Sequence, residues 1–282
     1  MIIATTVAGV REQVEAWKRD GLTIGLVPTM GFLHEGHASL IERSVSENDR
    51  TIVSIFVNPI QFGPKEDLAR YPRDFERDRK MLEAETTDII FSPDYREMYP
   101  EGYHTYVQVQ ALEDHLCGLS RKGHFVGVAT VCTKLFNIAK PHYAVFGQKD
   151  YQQLAIIQRM VRDLNQDLEI VPYPTVREEG GLAMSSRNTY LSGEGRDKAL
   201  SIYASIVRLK ELFAAGERAA RRLKDEAERV LRSKDGVEIE YVSISDPETL
   251  EELETVTQSA VYAVAVRVGA TRLIDNSKMG EG

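Results

Sequence analysis

The sequence has few cysteines and no long apolar run. Cys117 and Cys132 are the only cysteines among 282 residues, and they do not form the close pair of a metal or redox motif. This spacing argues against a disulfide framework and favours a reducing compartment. No stretch approaches the roughly 18 apolar residues of a membrane span, and the first residues lack a signal-peptide pattern. We therefore expect a cytoplasmic protein with no membrane partner.

The chain also lacks an excess of positive charge. Its 35 basic and 43 acidic residues give a formal net charge of −8, which provides no general attraction to nucleic acid or anionic lipid. The basic residues at positions 218–224 alternate with acidic ones, a pattern typical of a solvated helix face. We expect no nucleic-acid partner, so any phosphate ligand must be held by local groups.

Short β-rich runs alternate with segments of helical periodicity, and this alternation predicts a Rossmann-like parallel α/β sheet. The run at residues 51–57 is almost entirely apolar, as expected for a strand covered on both faces. Helices are expected to begin near His37, near Arg73, within residues 127–139 and at Asp150. The predicted strands span residues 22–27, 51–57, 88–91, 143–146 and 168–171.

The C-terminal third of the chain differs from the rest in the order of its predicted helices and strands. Two charged helical stretches between residues 194 and 232 precede strand-like runs at residues 237–244 and 261–268. A tight turn then leads into a further apolar run. The sequence therefore predicts a Rossmann-like domain at residues 1–176 and a smaller α/β domain at residues 177–282.

Three polar loops, at residues 28–40, 58–61 and 147–150, directly follow predicted strands. Ligands bind beyond the carboxyl ends of the strands in sheets of this kind, so we expect the loops to converge on one edge. These loops are the first place to look for chemistry.

The loop after the first central strand contains two glycines and two histidines. Gly31 and Gly36 permit close backbone approach where a strand leads into a helix. A helix N-terminus attracts anions, and His34 and His37 add donors that strengthen as charge develops on a transferring phosphate. The pattern predicts a phosphate site.

Zinc hydrolysis is an alternative reading of the same histidines. The metalloprotease motif places two histidines at i and i+4, whereas His34 and His37 are three residues apart, with Gly36 between them in a loop-like context and no clear third ligand. Structural hydrogen bonding of the pair is a second alternative. We assign no protein residue to a metal.

Several motifs follow one another along the chain. The segment His34-Glu35-Gly36-His37 matches the His-x-Gly-His signature of the nucleotidylyl transferase superfamily. With the strings below, it is similar to the pantothenate synthetase (pantoate–β-alanine ligase) family from about residue 28 to residue 191, with a weaker echo at residues 271–276. The strings are FVNPIQFG at 56–63, YPR at 71–73, GHFVGV at 123–128, FGQKDYQQ at 146–153 and MSSRN at 184–188.

The resemblance implies a reaction in two steps. ATP and pantoate would give pantoyl adenylate and pyrophosphate, and the amine of β-alanine would then displace AMP to give pantothenate. The resemblance also implies Mg²⁺ accompanying ATP, and a homodimer. The domain at residues 1–176 would then be the catalytic domain that binds nucleotide and pantoate, and the domain at residues 177–282 would act as a lid over ATP.

The resemblance further implies residue roles. The catalytic residues would be His37, as proton donor, with His34, Lys149 and Arg187. Gln61 and Gln153 would bind pantoate, and Gln61 would also border β-alanine. The residues expected to bind ATP are Met30, Gly31, Phe32, Leu33, His34, Glu35, Gly36, His37, Gly147, Gln148, Lys149, Asp150, Val176, Met184, Ser185, Ser186 and Arg187.

Other readings remain open. A nucleotidylyltransferase that passes AMP to a phosphorylated acceptor, and a non-catalytic nucleotide sensor, would share the phosphate motif; the two glutamines favour the ligase. Residues 184–187 only loosely resemble the Lys-Met-Ser-Lys-Ser loop of aminoacyl-tRNA synthetases. Taken singly, Gln61, Lys149, Gln153 and Arg187 are also compatible with ordinary surface positions.

Five further side chains have two readings each. Met30, Phe56 and Val128 are candidates for an apolar wall around the methyl groups of pantoate, or for plain core packing. His124, near Arg121, could face the phosphates or cap a helix. Asp78 is a candidate magnesium contact or a solvent-facing acid of a charged helix.

Overall fold

The protein is described by a computed structural model that covers residues 1–64 and 66–280. The chain forms two compact units. The first contains residues 1–110, 121–147 and 156–174, and the second contains residues 111–120, 148–155 and those from Thr175 onward. The predicted boundary at residue 176 lies next to Thr175, but sequence patterns do not separate the two short segments from the first domain.

The first unit contains a six-stranded sheet in which every pair of neighbouring strands is parallel. The strand order is β1-β4-β3-β2-β5-β6. Five strands lie within two residues of their predicted positions, so the Rossmann-like prediction is confirmed. The strands are β1 (Ile2–Ala4), β2 (Ile24–Thr29), β3 (Arg50–Ile55), β4 (Ile89–Phe91), β5 (Tyr143–Gly147) and β6 (Glu169–Tyr173).

The strand order reverses at β2, which has β3 on one side and β5 on the other. Such a reversal opens a crevice at the carboxyl ends of the strands, where ligands bind in open α/β sheets. The loop after β2 and Gly147 at the end of β5 both lie at this position. The sheet topology thus places part of the predicted phosphate site where the fold favours a ligand.

Helices cover the sheet and surround an apolar core in the first unit. The core includes Val27, Leu33, Ile41, Val53 and Val145, each at most 1% exposed. α7 begins in the second unit and continues along the chain into the first. The helices up to this point are α1 (Val7–Arg19), α2 (Glu35–Glu47), α3 (Phe75–Ala84), α4 (Tyr95–Met98), α5 (Leu116–Ser120), α6 (His124–Ala139) and α7 (Tyr151–Asp163).

The second unit is built on a three-stranded antiparallel sheet in the order β7-β8-β9. Helices α8 (Gly193–Ala214) and α9 (Ala220–Leu231) share an apolar core with this sheet, which confirms the smaller α/β domain. In that core, the hydroxyl groups of Tyr262 and Ser205 are 2.8 Å apart. The strands are β7 (Val237–Ser245), β8 (Ser259–Val268) and β9 (Thr271–Gly280).

The two short segments of the second unit are tied to this sheet and to each other by polar contacts. Ser120 Oγ donates to Glu240 at 2.6 Å, and the Arg272 guanidinium donates to the same carboxylate at 2.8 and 2.9 Å. Gln152 donates to the main-chain oxygens of Leu112 and His115 at 2.8 and 2.7 Å. These bonds join residues distant in sequence, which is why local patterns do not reveal the grouping.

Among the described residues, no helix is both long and apolar enough to cross a membrane.

Candidate active site

The loop after β2 is held in a left-handed conformation by a buried carboxylate. Gly31 has φ +76° and Phe32 has φ +50°. Both oxygens of Asp78 on α3 accept main-chain N–H groups, from Phe32 and from Leu33, each at 2.7 Å. Asp78 is 1% exposed, so the reading of Asp78 as a solvent-facing acid is wrong. Burial raises the pKa of Asp78, against the opposing effect of the two amide hydrogen bonds.

Helix α2 begins at Glu35, directly after this loop, with His34 as its N-cap residue. The start lies two residues earlier than predicted. Gly36 is therefore in the first helical turn rather than in a loop, and this correction follows from the cap at His34. The first-turn amides of a helix carry its positive dipole end and bind anions, so the predicted strand-to-helix geometry for a phosphate is present.

His34 and His37 are neighbours at this helix start. The main-chain N–H of His34 donates to His37 Nδ1 at 3.3 Å, and the two ring centroids are 4.0 Å apart. A nitrogen that accepts a hydrogen bond carries no proton, so the neutral ring of His37 has its proton on Nε2. The fold thus makes Nε2 the donor nitrogen of His37.

Gln61 lies at the end of a short 3₁₀ turn, Pro59–Gln61, that follows β3. The residue is 7% exposed. Gln61 Oε1 accepts from Asn58 Nδ2 at 3.1 Å, and Gln61 Nε2 donates to Met30 Sδ at 3.1 Å. Asn58 also donates to the main-chain oxygen of Gly127 and accepts from the Tyr99 hydroxyl at 3.0 Å. This buried network excludes an ordinary surface position for Gln61.

A second chain of contacts reaches Gln61 from α6. His124 Nδ1 lies 2.7 Å from the main-chain oxygen of Gln61, and His124 Nε2 lies 2.9 Å from Arg121 Nη1. Arg121 makes a bidentate ion pair with Glu66 at 2.8 and 2.6 Å. Burial raises the pKa of Glu66, but the hydrogen bond and charge of Arg121 outweigh it and hold the pKa below its usual value. His124 therefore positions the Gln61 backbone.

The three candidates for the apolar wall are Met30, Phe56 and Val128. Phe56 is 7% exposed and packs near the Tyr99 ring, and Val128 on α6 is 2% exposed. Met30 contacts Gln61 through its sulfur. Core packing thus accounts for Phe56 and Val128, whereas Met30 directly contacts a predicted substrate residue.

In the second unit, residues Gln148–Asp150 form a 3₁₀ turn that leads into α7. The main-chain oxygens of Gln148 and Lys149 accept from Asn276 Nδ2 at 2.9 and 2.8 Å. Gln153 lies in the first turn of α7, partly buried. Lys149 and Gln153 are thus carried on one short, anchored segment.

The remaining predicted nucleotide residues lie on a loop of the second unit. The main-chain N–H of Met184 donates to the oxygen of Val176 at 2.9 Å. Ser185 caps a short 3₁₀ helix at Ser186–Tyr190 by accepting from the Arg187 N–H at 3.2 Å. The backbone of Met184 is therefore fixed by its bond to Val176, and Arg187 lies in the first turn of the short 3₁₀ helix.

Within residues 1–64 and 66–280, no group of three or more His, Cys, Asp or Glu side chains is arranged to hold a metal ion. A protein-bound zinc centre needs such a group. Both oxygens of Asp78 are used by loop amides, so its observed role is to hold the loop.

A profile described as pantoate-beta-alanine ligase matches residues 2–278 of the sequence. The chain belongs to the pantoate–β-alanine ligase family.

Relatives of this family match over nearly their whole length. The pantothenate synthetase of Thermotoga petrophila is 55% identical over 280 residues, covering 99% of this chain and 100% of the relative. That of Moorella thermoacetica is 54% identical, with 98% of each chain covered. Family membership confirms the predicted ligase class and overturns the zinc hydrolase and sensor alternatives.

Solved structures of the ligase family agree with the fold. The pantothenate synthetase of Thermus thermophilus matches with a TM-score of 0.93 at 46% identity, over 98% of this chain and 99% of that one. The pantoate-beta-alanine ligase of Francisella tularensis, complexed with beta-gamma ATP and beta-alanine, matches with a TM-score of 0.81 at 33% identity, over 98% and 97%.

In this ligase, Asn58, Asp78 and Asn276 hold parts of the candidate site, a role that the sequence does not assign to them. Asn58 follows the same strand end as Gln61, so its position is a usable signal. The contacts of Asp78 and Asn276 could not be predicted, because each is made with backbone that is 45 or more positions away.

Proposed function

We propose that the protein joins pantoate to β-alanine in two steps through pantoyl adenylate. A carboxylate oxygen of pantoate attacks the α-phosphorus of ATP, and the bond to the bridging oxygen breaks to release pyrophosphate. The amine of β-alanine then attacks the acyl carbon, loses a proton, and expels AMP with the former carboxylate oxygen. The observation that carries the proposal is the His34–His37 pair at the start of α2, at the reversal of strand order.

His37 acts on the first step in this proposal. Its Nδ1 accepts the His34 N–H, so the ring donates from Nε2 to a phosphate oxygen. Negative charge grows on the α-phosphate and on the departing pyrophosphate as the new bond forms. A fixed donor that gains strength with this charge lowers the barrier, typically by a factor of about 10² to 10³.

Gln61 orients pantoate. Its Nε2 donates to Met30 sulfur, a weak acceptor that a pantoate oxygen can replace at small cost. A neutral amide holds the acid without an ion pair that would reduce the nucleophilicity of the carboxylate. Gln153 has the same role from α7, and Gln61 also borders β-alanine.

Lys149 and Arg187 supply positive charge to the phosphates. Residues 30–37 and Gly147 contact the nucleotide in the first unit. In the second, its contacts are Gln148, Lys149, Asp150, Val176, Met184, Ser185, Ser186 and Arg187. Binding of the reactants in a fixed orientation provides much of the remaining acceleration. The lid role of the second domain belongs to the same proposal.

Mg²⁺ enters with ATP in this proposal. Protein sites for nucleotide-bound magnesium use one or two carboxylates at most, with phosphate oxygens and water completing the octahedron. The ion would thus be carried by the nucleotide, as the resemblance implies. When bound, the ion offsets phosphate charge. The expected homodimer and cytoplasmic location also remain proposals.

The test uses purified protein with ATP and Mg²⁺, and follows pyrophosphate and AMP separately. Pyrophosphate release should require pantoate, and AMP release should require β-alanine in addition. Pyrophosphate release that ignores pantoate would refute the ligase reaction. AMP transfer to a phosphorylated acceptor in place of β-alanine would favour the nucleotidylyltransferase.

A further inference from the structure

Asn276 lies on β9 and contacts the turn that carries Lys149. Its side-chain Nδ2 donates to the main-chain oxygens of Gln148 at 2.9 Å and Lys149 at 2.8 Å. An asparagine amide nitrogen has two hydrogens, so it can serve both carbonyls at once. The residue is 7% exposed. Loss of this amide would leave two carbonyl oxygens without these donors.

The strand gives Asn276 a fixed position. Asn276 pairs with Ala263, and Asp275 pairs with Val264, on the central strand β8. The Asn276 N–H donates to Asp275 Oδ1 at 2.8 Å. The side chain therefore extends from backbone that is bonded both within the sheet and to its own neighbour.

Asp275 holds the chain between Val176 and Met184, two residues that are predicted to contact the nucleotide. It is 3% exposed and makes a bidentate ion pair with Arg177 at 2.6 and 3.1 Å. Arg177 also donates to the Gly181 oxygen at 2.9 Å and bridges to Ala183, next to Met184. Two adjacent residues of β9 thus hold two parts of the second unit: Asn276 holds the turn Gln148–Asp150, and Asp275 holds Arg177.

We infer that Asn276 is a positioning residue for Lys149. The turn Gln148–Asp150 has only three residues, too few to fix its own backbone by internal bonds. Anchoring two successive carbonyls sets the peptide planes on either side of the Lys149 Cα, and so the direction in which its long side chain leaves. The inference rests on the proposed function in one respect: Lys149 acts on the phosphates of ATP.

The test starts with Asn276→Leu, which keeps the side chain branched at Cγ and removes both donors. Pantoate-dependent pyrophosphate release should fall by about 10- to 100-fold, the scale expected when a catalytic group is misplaced. The KM for pantoate should change by less than about twofold, because the interaction that is weakened is the one between Lys149 and the phosphates of ATP. Asn276→Ser keeps one donor, and its rate should lie between those of the parent and Asn276→Leu.

Tyr262→Phe is the matched control. It removes a buried hydrogen bond, to Ser205, from the neighbouring strand of the same sheet but leaves the turn untouched. It should lower the melting temperature with an unchanged rate. All three variants are compared at a temperature at which each is folded. If Asn276→Leu and Asn276→Ser lose no more activity than Tyr262→Phe, the inference is overturned.

A double-mutant cycle separates positioning from general structure. In a Lys149→Ala background, Asn276→Leu should change the rate by less than about threefold, since its effect passes through a side chain already removed. Losses that multiply would overturn the inference while leaving the ligase reaction intact. A parent protein without pantoate-dependent pyrophosphate release would instead refute the proposed function.

Discussion

At the scale of single residues, Gly31 is a position in the loop after β2 that leaves no room for a side chain. Its φ is +76°, and an added Cβ would lie 2.9 Å from Ile55 Cγ2 and 3.0 Å from Asp78 Oδ2. Gly31→Ala should therefore lower the free energy of unfolding by more than the roughly 1 to 2 kcal/mol of a left-handed alanine alone. It should also weaken ATP binding, measured by calorimetry.

Gly21→Ala is a control for the backbone part of this effect. Gly21 has φ +73°, and a Cβ there would meet no described atom within 4 Å. Denaturant unfolding should therefore show a smaller loss for Gly21→Ala, with ATP affinity unchanged. Equal losses in the two variants would show that the contacts at Ile55 and Asp78 have no effect.

His37 is the residue to which the proposal assigns the proton donor. His37→Ala should slow pre-steady-state pyrophosphate release by about 10² to 10³, the usual cost of one transition-state donor. The exposed His104 is the control, and His104→Ala should leave the rate unchanged. A His37→Ala rate within about threefold of the parent would remove this role.

At the scale of elements, α6 packs directly against the turn that carries Gln61. A Cβ on Gly127 would lie 2.6 Å from Gln61 Cα and 2.7 Å from both Gln61 N and Ile60 O. Because these atoms are backbone, Gly127→Ala must displace the turn. We expect the KM for pantoate to rise by about tenfold or more, since a shift of roughly 1 Å at a substrate contact is costly.

Gly193, the first residue of α8, provides the comparison for this element. An added Cβ there would meet no atom within 4 Å among residues 1–64 and 66–280. Steady-state kinetics should show an unchanged KM for pantoate in Gly193→Ala. If Gly127→Ala has parental kinetics as well, α6 does not position Gln61.

Sequence patterns revealed the elements better than the contacts between them. The largely apolar runs of β2 to β5 predict the sheet, because parallel strands buried on both faces are nearly continuously apolar. β1 was missed because it has three residues, two of them exposed, and so shows no pattern. The glycines and histidines of the loop after β2 predict a phosphate site, and this remains a prediction. The hydrogen bonds that Asp78 accepts from this loop could not be predicted, because contacts across 45 or more positions leave no local pattern.

At the scale of the whole molecule, each unit is assembled from separate segments of the chain. Polar contacts such as those of Glu240 join the segments of the second unit. The protonation of Glu240 therefore affects the stability of the protein in acid. Burial raises the pKa of Glu240, but the hydrogen bonds from Arg272 and Ser120 and the charge of Arg272 outweigh this effect and hold the pKa below the usual 4.5. The unfolded chain therefore binds this proton more readily. The stabilisation contributed by ionised Glu240 is present above the usual pKa of a glutamate and is lost as the pH falls through the pKa that Glu240 has in the folded protein.

The corresponding measurement is the free energy of unfolding from about pH 6 to about pH 3. Glu240→Gln carries no titrating group at this position, so its stability should fall less steeply with acid than that of the parent. Glu238→Gln, at a more exposed position of β7, should keep the parental slope. Parallel curves for all three proteins would contradict the role of the Glu240–Arg272 pair.

The proposed reaction begins when the carboxylate of pantoate attacks the α-phosphorus of ATP. Pantoate labelled with ¹⁸O in its carboxylate tests it directly, with mass spectrometry of AMP, pyrophosphate and pantothenate after reaction with β-alanine. An adenylate intermediate requires one labelled oxygen to appear in AMP and the other to remain in the amide carbonyl of pantothenate. Unlabelled AMP, or label in any other phosphate product, would contradict the account.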